Sequence, residues 1–191
     1  MTSRNSSWKS DFAAGASGPE TEEIKRTTEF GNRRGPIPLL PAGKDYLWGG
    51  RRLRDDFSKD ILLTPLAETW ECSTHPDGLS LLAEDPDKTL HELLQENPWM
   101  FGTHPAKSMP EAVKKGELPV LIKFIDAASD LSVQVHPDDA YAREHENGQL
   151  GKSEMWYVVD AAPGAKLVYG FSHDMDRERV REAAQNGTLE K

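Results

Sequence analysis

Residues 131–137, Leu-Ser-Val-Gln-Val-His-Pro, alternate apolar and polar side chains with a period of two. Side chains along an extended strand point to opposite faces in turn, so this pattern predicts a strand with Ser132, Gln134 and His136 on one face. An amide oxygen and an imidazole nitrogen are both donors that divalent metal ions accept. The pattern therefore favours a strand-containing fold in which one polar face holds a metal ion.

A second stretch, residues 151–159, places Lys152 and Glu154 on one face by the same period. With Gln134 and His136, the Glu154 carboxylate completes a set of three nitrogen and oxygen ligands. Three protein ligands with an open position are typical of catalytic rather than structural zinc, although these donors also suit manganese, iron or cobalt. The alternative interpretation is a polar face turned to water, with the histidine in an ordinary structural hydrogen bond.

The runs 131–139 and 150–157 resemble the signature of the type I mannose-6-phosphate isomerases, also called phosphomannose isomerases, a family of the cupin superfamily. Further segments similar to this family occur in the expected order, and the resemblance extends over residues 38–191. These supporting segments are 47–50, 67–73, 75–78, 118–126 and 167–171.

The resemblance implies one zinc ion per chain, bound by Gln134, His136 and Glu154. It also implies reversible conversion of mannose 6-phosphate to fructose 6-phosphate, in which a proton leaves the carbon beside a carbonyl and returns to the neighbouring carbon. Four further positions match the sugar-phosphate pocket: Ser132, Lys152, Lys123 and Trp48. Of these, Ser132 and Lys152 are also the catalytic candidates.

The sequence departs from the family pattern at its C-terminal side. The family's fourth zinc ligand, a histidine, and its catalytic arginine would both lie beyond Lys191. We therefore expect an N-terminal portion of an isomerase or a truncated homologue. A second hypothesis is an inactive cupin-like module that binds or senses a sugar phosphate. A cupin oxygenase is disfavoured, because such sites commonly use two histidines and His136 has no evident companion.

The predicted fold class is mainly β, a cupin-like β-barrel (jelly roll) with short helical additions, incomplete at the C-terminus. Helices are predicted at 89–96, where leucines form one stripe, at 138–146, and at 174–186, beginning at Asp174 or Asp176. The predicted strands are 61–63, 68–73, 79–83, 120–126, 131–136, 155–159 and 166–171.

Composition predicts a tail and one domain. Residues 1–35 are polar and poor in large apolar residues, so we expect a disordered extension ahead of a cupin-type portion at 36–191. The mean hydropathy of the whole chain, −0.66, agrees with an unpacked part. The tail has no apolar core of a secretory signal, and its acidic residues Glu20, Glu22 and Glu23 disfavour a mitochondrial transit peptide.

The net charge of −9 disfavours nonspecific binding to nucleic acid and means that an anionic substrate needs local cations, for which Lys123 and Lys152 are the candidates. The single cysteine, Cys72, suits a reducing cytoplasm and is interpreted as a small buried residue. No apolar run approaches the roughly 20 residues that span a bilayer, so no membrane partner is expected. The sequence gives no indication of the oligomeric state.

Overall fold

The structure, a computed structural model, describes residues 35–189. The chain divides into two units, the first ending at Leu131 and the second beginning at Ser132. The predicted tail lies outside the described residues except for Gly35, and the domain boundary expected after residue 35 stays a prediction.

The first unit contains two antiparallel sheets of three strands each. In chain order the strands are β1 (Leu39–Leu40), β2 (Ala42–Lys44), β3 (Glu68–Cys72), β4 (Leu81–Leu82), β5 (Asp85–Thr89) and β6 (Ile122–Ile125). One sheet has the order β1-β4-β5 and the other β2-β3-β6. In the second sheet β3 is central, and its Trp70 lies opposite Lys123 of β6.

Short helices follow the strands of the first unit. They are α1 (Arg52–Asp55), α2 (Leu90–Glu96), a 3₁₀ helix (Pro98–Phe101), α3 (Thr103–Ser108) and α4 (Pro110–Lys115). Helix α2 begins with a capping box, because the Thr89 hydroxyl accepts a hydrogen bond from the Glu92 backbone N–H (3.1 Å) and the Glu92 carboxylate accepts one from the Thr89 N–H (2.8 Å). These two bonds satisfy donors that a helix start leaves free.

The core of the first unit is built around the leucine stripe of α2. Leu90, Leu93 and Leu94 are all buried, as the helical spacing at 89–96 predicts. They pack with residues from β4, the 3₁₀ helix and α4, and Leu93 itself is fully enclosed. The remaining buried members of this cluster are Leu82, Phe101 and Val113.

The second unit contains two helices, α5 (Asp139–His145) and α6 (Arg177–Gln185). Both begin at an aspartate whose side chain accepts a backbone hydrogen bond: Asp138 from the Tyr141 N–H (2.8 Å) and Asp176 from the Arg179 N–H (2.9 Å). The sequence left Asp174 and Asp176 as alternatives for the start of α6, and the structure places the cap at Asp176. Within residues 35–189, no helix is long and apolar enough to cross a membrane.

Three predicted strands of the chain's later part are wrong, because the segments 131–136, 155–159 and 166–171 form no ladder in the described structure. A strand needs a partner that satisfies its backbone groups and covers its apolar face. Here the apolar side stays open: Val135 is 85%, Met155 91% and Tyr169 94% exposed.

The predicted strand at 61–63 is also wrong, for a different reason. The guanidinium of Arg54 donates to the carbonyl oxygens of Ile61 (2.7 Å) and Leu63 (2.6 Å). A side chain therefore takes the backbone acceptors that a neighbouring strand would otherwise use.

The expectation of sheets with short helical additions is confirmed, and strands lie within the predicted segments 68–73, 79–83 and 120–126. The fold of the described residues is nevertheless less β-rich than predicted, since the six strands form two small sheets and no closed barrel. Barrel closure needs every edge to find a partner, and the later segments that would supply edges are unpaired in residues 35–189.

Candidate functional site

In the second unit, the segment at residues 137–139 and the segment at residues 151–152 lie close together. The Lys152 N–H donates to the Pro137 carbonyl oxygen (3.1 Å), and the Gly151 N–H donates to Asp139 Oδ1 (2.8 Å). We call these two contacts the Gly151 clamp. A Cβ atom on Gly151 would lie 2.5 Å from the Asp138 carbonyl carbon, so only glycine fits this approach.

The clamp brings three of the predicted site residues together. His136 Nε2 lies 3.0 Å from Glu154 Oε2, and Lys152 Nζ lies 2.8 Å from Glu154 Oε1. The indole N–H of Trp156 donates to Glu154 Oε2 (3.1 Å). We call these four residues the Glu154 cluster. The side chains of His136 and Glu154 are 24% and 22% exposed, so the cluster is sheltered but reachable from water.

The cluster keeps the Glu154 carboxylate ionised. Burial is the largest single influence and raises the pKa of Glu154, but hydrogen bonds from Lys152, Trp156 and His136, with the charge of Lys152, together outweigh it and lower the pKa to about 2. The carboxylate is therefore negative at physiological pH, which is the form that binds a cation.

Ser132 and Gln134, which the period of two places on the His136 face, contact each other. Gln134 Nε2 donates to Ser132 Oγ (3.3 Å), and both residues are exposed. Within residues 35–189, no hydrogen bond joins Gln134 to the Glu154 cluster. Of these predicted site residues, His136 and Lys152 both contact Glu154, whereas Ser132 and Gln134 form a separate pair.

The spacing of His136 and Glu154 is compatible with two ligands of one metal ion. In a tetrahedral site with bonds of about 2.0–2.1 Å, two donor atoms lie about 3.3 Å apart. The 3.0 Å between His136 Nε2 and Glu154 Oε2 needs only a small adjustment. No group of three or more His, Cys, Asp or Glu side chains suited to a metal occurs in the described part of the chain. A third protein ligand would be of another type, the role predicted for the Gln134 amide oxygen.

Another predicted site residue, Lys123, lies in the first unit and forms an ion pair there. Lys123 Nζ lies 3.1 Å from Glu68 Oε1, and Glu68 Oε2 accepts a hydrogen bond from Trp70 Nε1 (2.7 Å). Glu68 is 5% exposed, so both of its oxygens are satisfied where water has little access. The ammonium predicted to meet substrate is thus already engaged with a buried carboxylate.

Trp48 and Cys72 have structural surroundings in the same unit. The ring of Trp48 stacks on Tyr46 with centroids 5.5 Å apart, and its carbonyl oxygen accepts a hydrogen bond from Ala128 N (2.9 Å). Cys72 ends β3 and packs against the leucine core, and burial raises the pKa of its thiol. A thiol that resists ionisation is a poor nucleophile, in line with the interpretation as a packing residue.

Three residues of these sites are not among the predicted candidates: Glu68, Asp139 and Trp156. Trp156 follows Glu154 by two positions, so the same period of two contained its signal. Asp139 and Glu68 act on partners 12 and 55 positions away, and no local pattern specifies such contacts.

Known proteins are similar to the part of the chain that contains these sites. The family model for phosphomannose isomerase type I, catalytic domain, matches residues 37–160. The mannose-6-phosphate isomerase of Streptococcus mutans is 44% identical over 154 residues, which are 80% of this chain and 45% of that protein. The probable mannose-6-phosphate isomerase GmuF of Bacillus subtilis is 40% identical over 154 residues, 80% of this chain and 46% of that protein.

A solved structure shows the same likeness. The crystal structure of the mannose 6-phosphate isomerase from Bacillus subtilis matches 82% of this chain and 48% of that one, with a TM-score of 0.71 and 37% sequence identity. The chain spans about half the length of the curated relatives it matches. The family model covers more than half of this chain and includes the whole Glu154 cluster. The resemblance drawn from the motifs is confirmed, and the chain belongs to the type I phosphomannose isomerase family.

Proposed function

We propose that this chain serves the interconversion of mannose 6-phosphate and fructose 6-phosphate and carries the metal-binding part of that active site. The observation that carries the proposal is the contact of His136 Nε2 with Glu154 Oε2 at 3.0 Å, inside the segment that the catalytic-domain family matches. The proposed substrate is the one for which the related mannose-6-phosphate isomerases are named.

The proposed metal is one zinc ion, held by Gln134, His136 and Glu154. When bound, zinc acts as a Lewis acid that polarises substrate oxygens on which negative charge develops. The chain's own contribution is preorganisation, because the Gly151 clamp fixes the approach of the two segments and Lys152 keeps the carboxylate of Glu154 ionised.

The proposed substrate contacts are Ser132, Lys152, Lys123 and Trp48. A chain of net charge −9 attracts a sugar phosphate only through local cations, and Lys152 offers one beside the proposed metal ligands. Lys152 is proposed to stabilise charge on the reacting oxygens, while the Ser132 hydroxyl donates a hydrogen bond to the sugar. Lys123 and Trp48, in the first unit, stay proposed substrate contacts, and Lys123 would have to exchange its ion pair with Glu68 for a substrate anion.

A cupin-like fold and a cytoplasmic location complete the proposal. The likeness to the Bacillus subtilis structure supports the fold, since its TM-score is 0.71. The single cysteine, Cys72, is free and suits a reducing compartment.

The test uses the purified 191-residue chain. Zinc binding is measured by calorimetry, and fructose 6-phosphate is measured in a coupled assay with and without a chelator. Glu154→Gln removes the negative charge of this ligand and is expected to weaken zinc binding strongly and to lower any turnover. The matched control Glu144→Gln alters an exposed carboxylate of α5 and is expected to change neither. Turnover that survives the chelator, or zinc affinity unchanged in Glu154→Gln, would overturn the proposal.

A second candidate function is sugar-phosphate binding without turnover. The observation that favours it is the contact of Gln134 with Ser132 (3.3 Å), which engages the third proposed metal ligand apart from the Glu154 cluster. Saturable binding of mannose 6-phosphate with no fructose 6-phosphate formed would support this candidate, and any zinc-dependent product would exclude it.

A further inference from the structure

Trp156 contacts the carboxylate oxygen that faces His136. Its indole Nε1 lies 3.1 Å from Glu154 Oε2, and His136 Nε2 lies 3.0 Å from the same oxygen. Lys152 occupies the other oxygen at 2.8 Å. The orientation of the Glu154 carboxylate is thus set by donors on both sides.

The chain itself places this indole. Lys152, Glu154 and Trp156 turn to the same side of their segment, because Lys152 and Trp156 both contact the Glu154 carboxylate. The intervening Met155 and Tyr157 point away and are 91% and 84% exposed. Trp156 is 49% exposed, so it is not a core residue on which packing of the unit depends.

The chemistry of indole restricts what Trp156 does here. Its Nε1 is only a donor and cannot bind a metal ion. Metal-binding carboxylates are commonly held by hydrogen bonds from groups outside the ligand set, which fix their orientation. We propose that Trp156 is a positioning residue that holds Glu154 Oε2 toward His136 for metal binding. This inference rests on the proposed function, since it takes His136 and Glu154 as ligands.

The main experiment is the variant Trp156→Phe, which removes the N–H and keeps an aromatic ring. Zinc affinity of the full chain is measured by competition with a chromogenic chelator, and folding is followed by circular dichroism. We expect zinc affinity to fall by about 10–100-fold with an unchanged dichroism spectrum. Trp99→Phe is the matched control, because Trp99 is 57% exposed and lies in the 3₁₀ helix of the first unit. It is expected to leave the affinity unchanged.

A second measurement does not depend on a stable variant. The chain has five tryptophans, whose indole N–H groups give separate signals in a ¹⁵N-correlated NMR spectrum. Addition of zinc to the wild-type chain is expected to shift the Trp156 signal, since its hydrogen-bond acceptor becomes a metal ligand. A tryptophan that does not contact the metal-binding carboxylate would show no such shift.

The possible results distinguish the positioning role of Trp156 from the proposed function. Wild-type zinc binding with unchanged affinity in Trp156→Phe, or with no indole signal shifted, would overturn the positioning role and leave the proposed function standing. Absence of zinc binding by the wild-type chain would overturn the proposed function, and the positioning role with it.

Discussion

The first unit is held together by buried leucines, whereas the second is organised by polar contacts. Leu82 and Leu93 are fully buried in the first unit. In the described residues of the second unit, the buried hydrophobic side chains are limited to Ala142, and Met155 and Tyr169 are more than nine-tenths exposed. The segments of this unit are instead joined by the polar contacts of the Gly151 clamp and the Glu154 cluster.

This contrast teaches that stability and site geometry depend on different parts of the sequence. Burial of apolar area contributes about 25 cal/mol per Å², so a leucine cluster dominates the stability of its unit. A single hydrogen bond contributes only about 1 kcal/mol net, but it fixes direction. Substitutions in the first unit should therefore change unfolding, and substitutions in the second should change metal binding.

The largest expected effect on stability is that of Leu93→Ala. Leu93 is fully enclosed by the leucine core, so its truncation leaves a cavity and should cost about 2–5 kcal/mol of unfolding free energy. Urea denaturation followed by tryptophan fluorescence measures this loss. Leu62→Ala is the control, because Leu62 is 93% exposed and should change stability little. An equal loss in both variants, or reduced zinc affinity in folded Leu93→Ala, would break the comparison.

Gly151→Ala should act on the site instead. The added methyl group meets the backbone of Asp138 and Asp139 at 2.5–2.6 Å, and relieving this overlap should cost about 1–3 kcal/mol. The Gly151 clamp then opens and zinc affinity falls by about tenfold or more, since 1.4 kcal/mol corresponds to a factor of ten.

Calorimetric titration with zinc measures the effect of Gly151→Ala. The control is Gly35→Ala, whose methyl group would meet no atom of residues 35–189 within 4 Å. Zinc affinity that is the same in both variants would show that the clamp does not position the metal ligands.

Thr89→Ala should have a smaller effect, confined to the first unit. It removes the hydroxyl that accepts the Glu92 N–H at the start of α2, and loss of such a cap costs about 1 kcal/mol. Thr89→Ser keeps the hydroxyl and serves as the control in the same denaturation experiment. A loss as large as that of Leu93→Ala would mean that the cap, rather than the leucine core, stabilises this unit.

The smallest expected effect is a pH dependence from the same capping box. Hydrogen bonds from the backbone and side chain of Thr89 lower the pKa of Glu92. Because the folded pKa lies below the unfolded value of about 4.3, the contribution is present above that value and is lost as the pH falls through the folded pKa. Exposure to solvent keeps it small.

The difference in unfolding free energy between wild type and Glu92→Gln measures this contribution. It should shrink between pH 7 and pH 3. A difference that stays constant over this range would contradict the role assigned to the ionised carboxylate.

The three helices with strong local signals were predictable, whereas only some of the predicted strands form. The stripe of Leu90, Leu93 and Leu94 and the aspartate caps of α5 and α6 each act within one or two turns, so sequence alone located these helices. A strand is completed by a distant partner. Segments 131–136 and 155–159 carry the alternating pattern but are unpaired in the described structure. The pattern therefore predicts which side chains share a face, but it does not predict whether a partner strand is present.

The site followed the same rule. A period of two sufficed to place His136, Lys152 and Glu154 as candidates, and the structure brings them within hydrogen-bonding distance. The partner of Lys123 was not predictable, because Glu68 is 55 positions away and meets it only through the pairing of β3 with β6.

The central claim is that His136 and Glu154 share one metal ion. A crystal structure of the zinc-loaded chain, with anomalous data collected at the zinc edge, tests it most directly. We expect one anomalous peak about 2.0–2.2 Å from both His136 Nε2 and a Glu154 carboxylate oxygen, with the Gln134 side chain turned to the same ion. A zinc peak bound by other residues, with His136 and Glu154 still paired to each other, would contradict the claim.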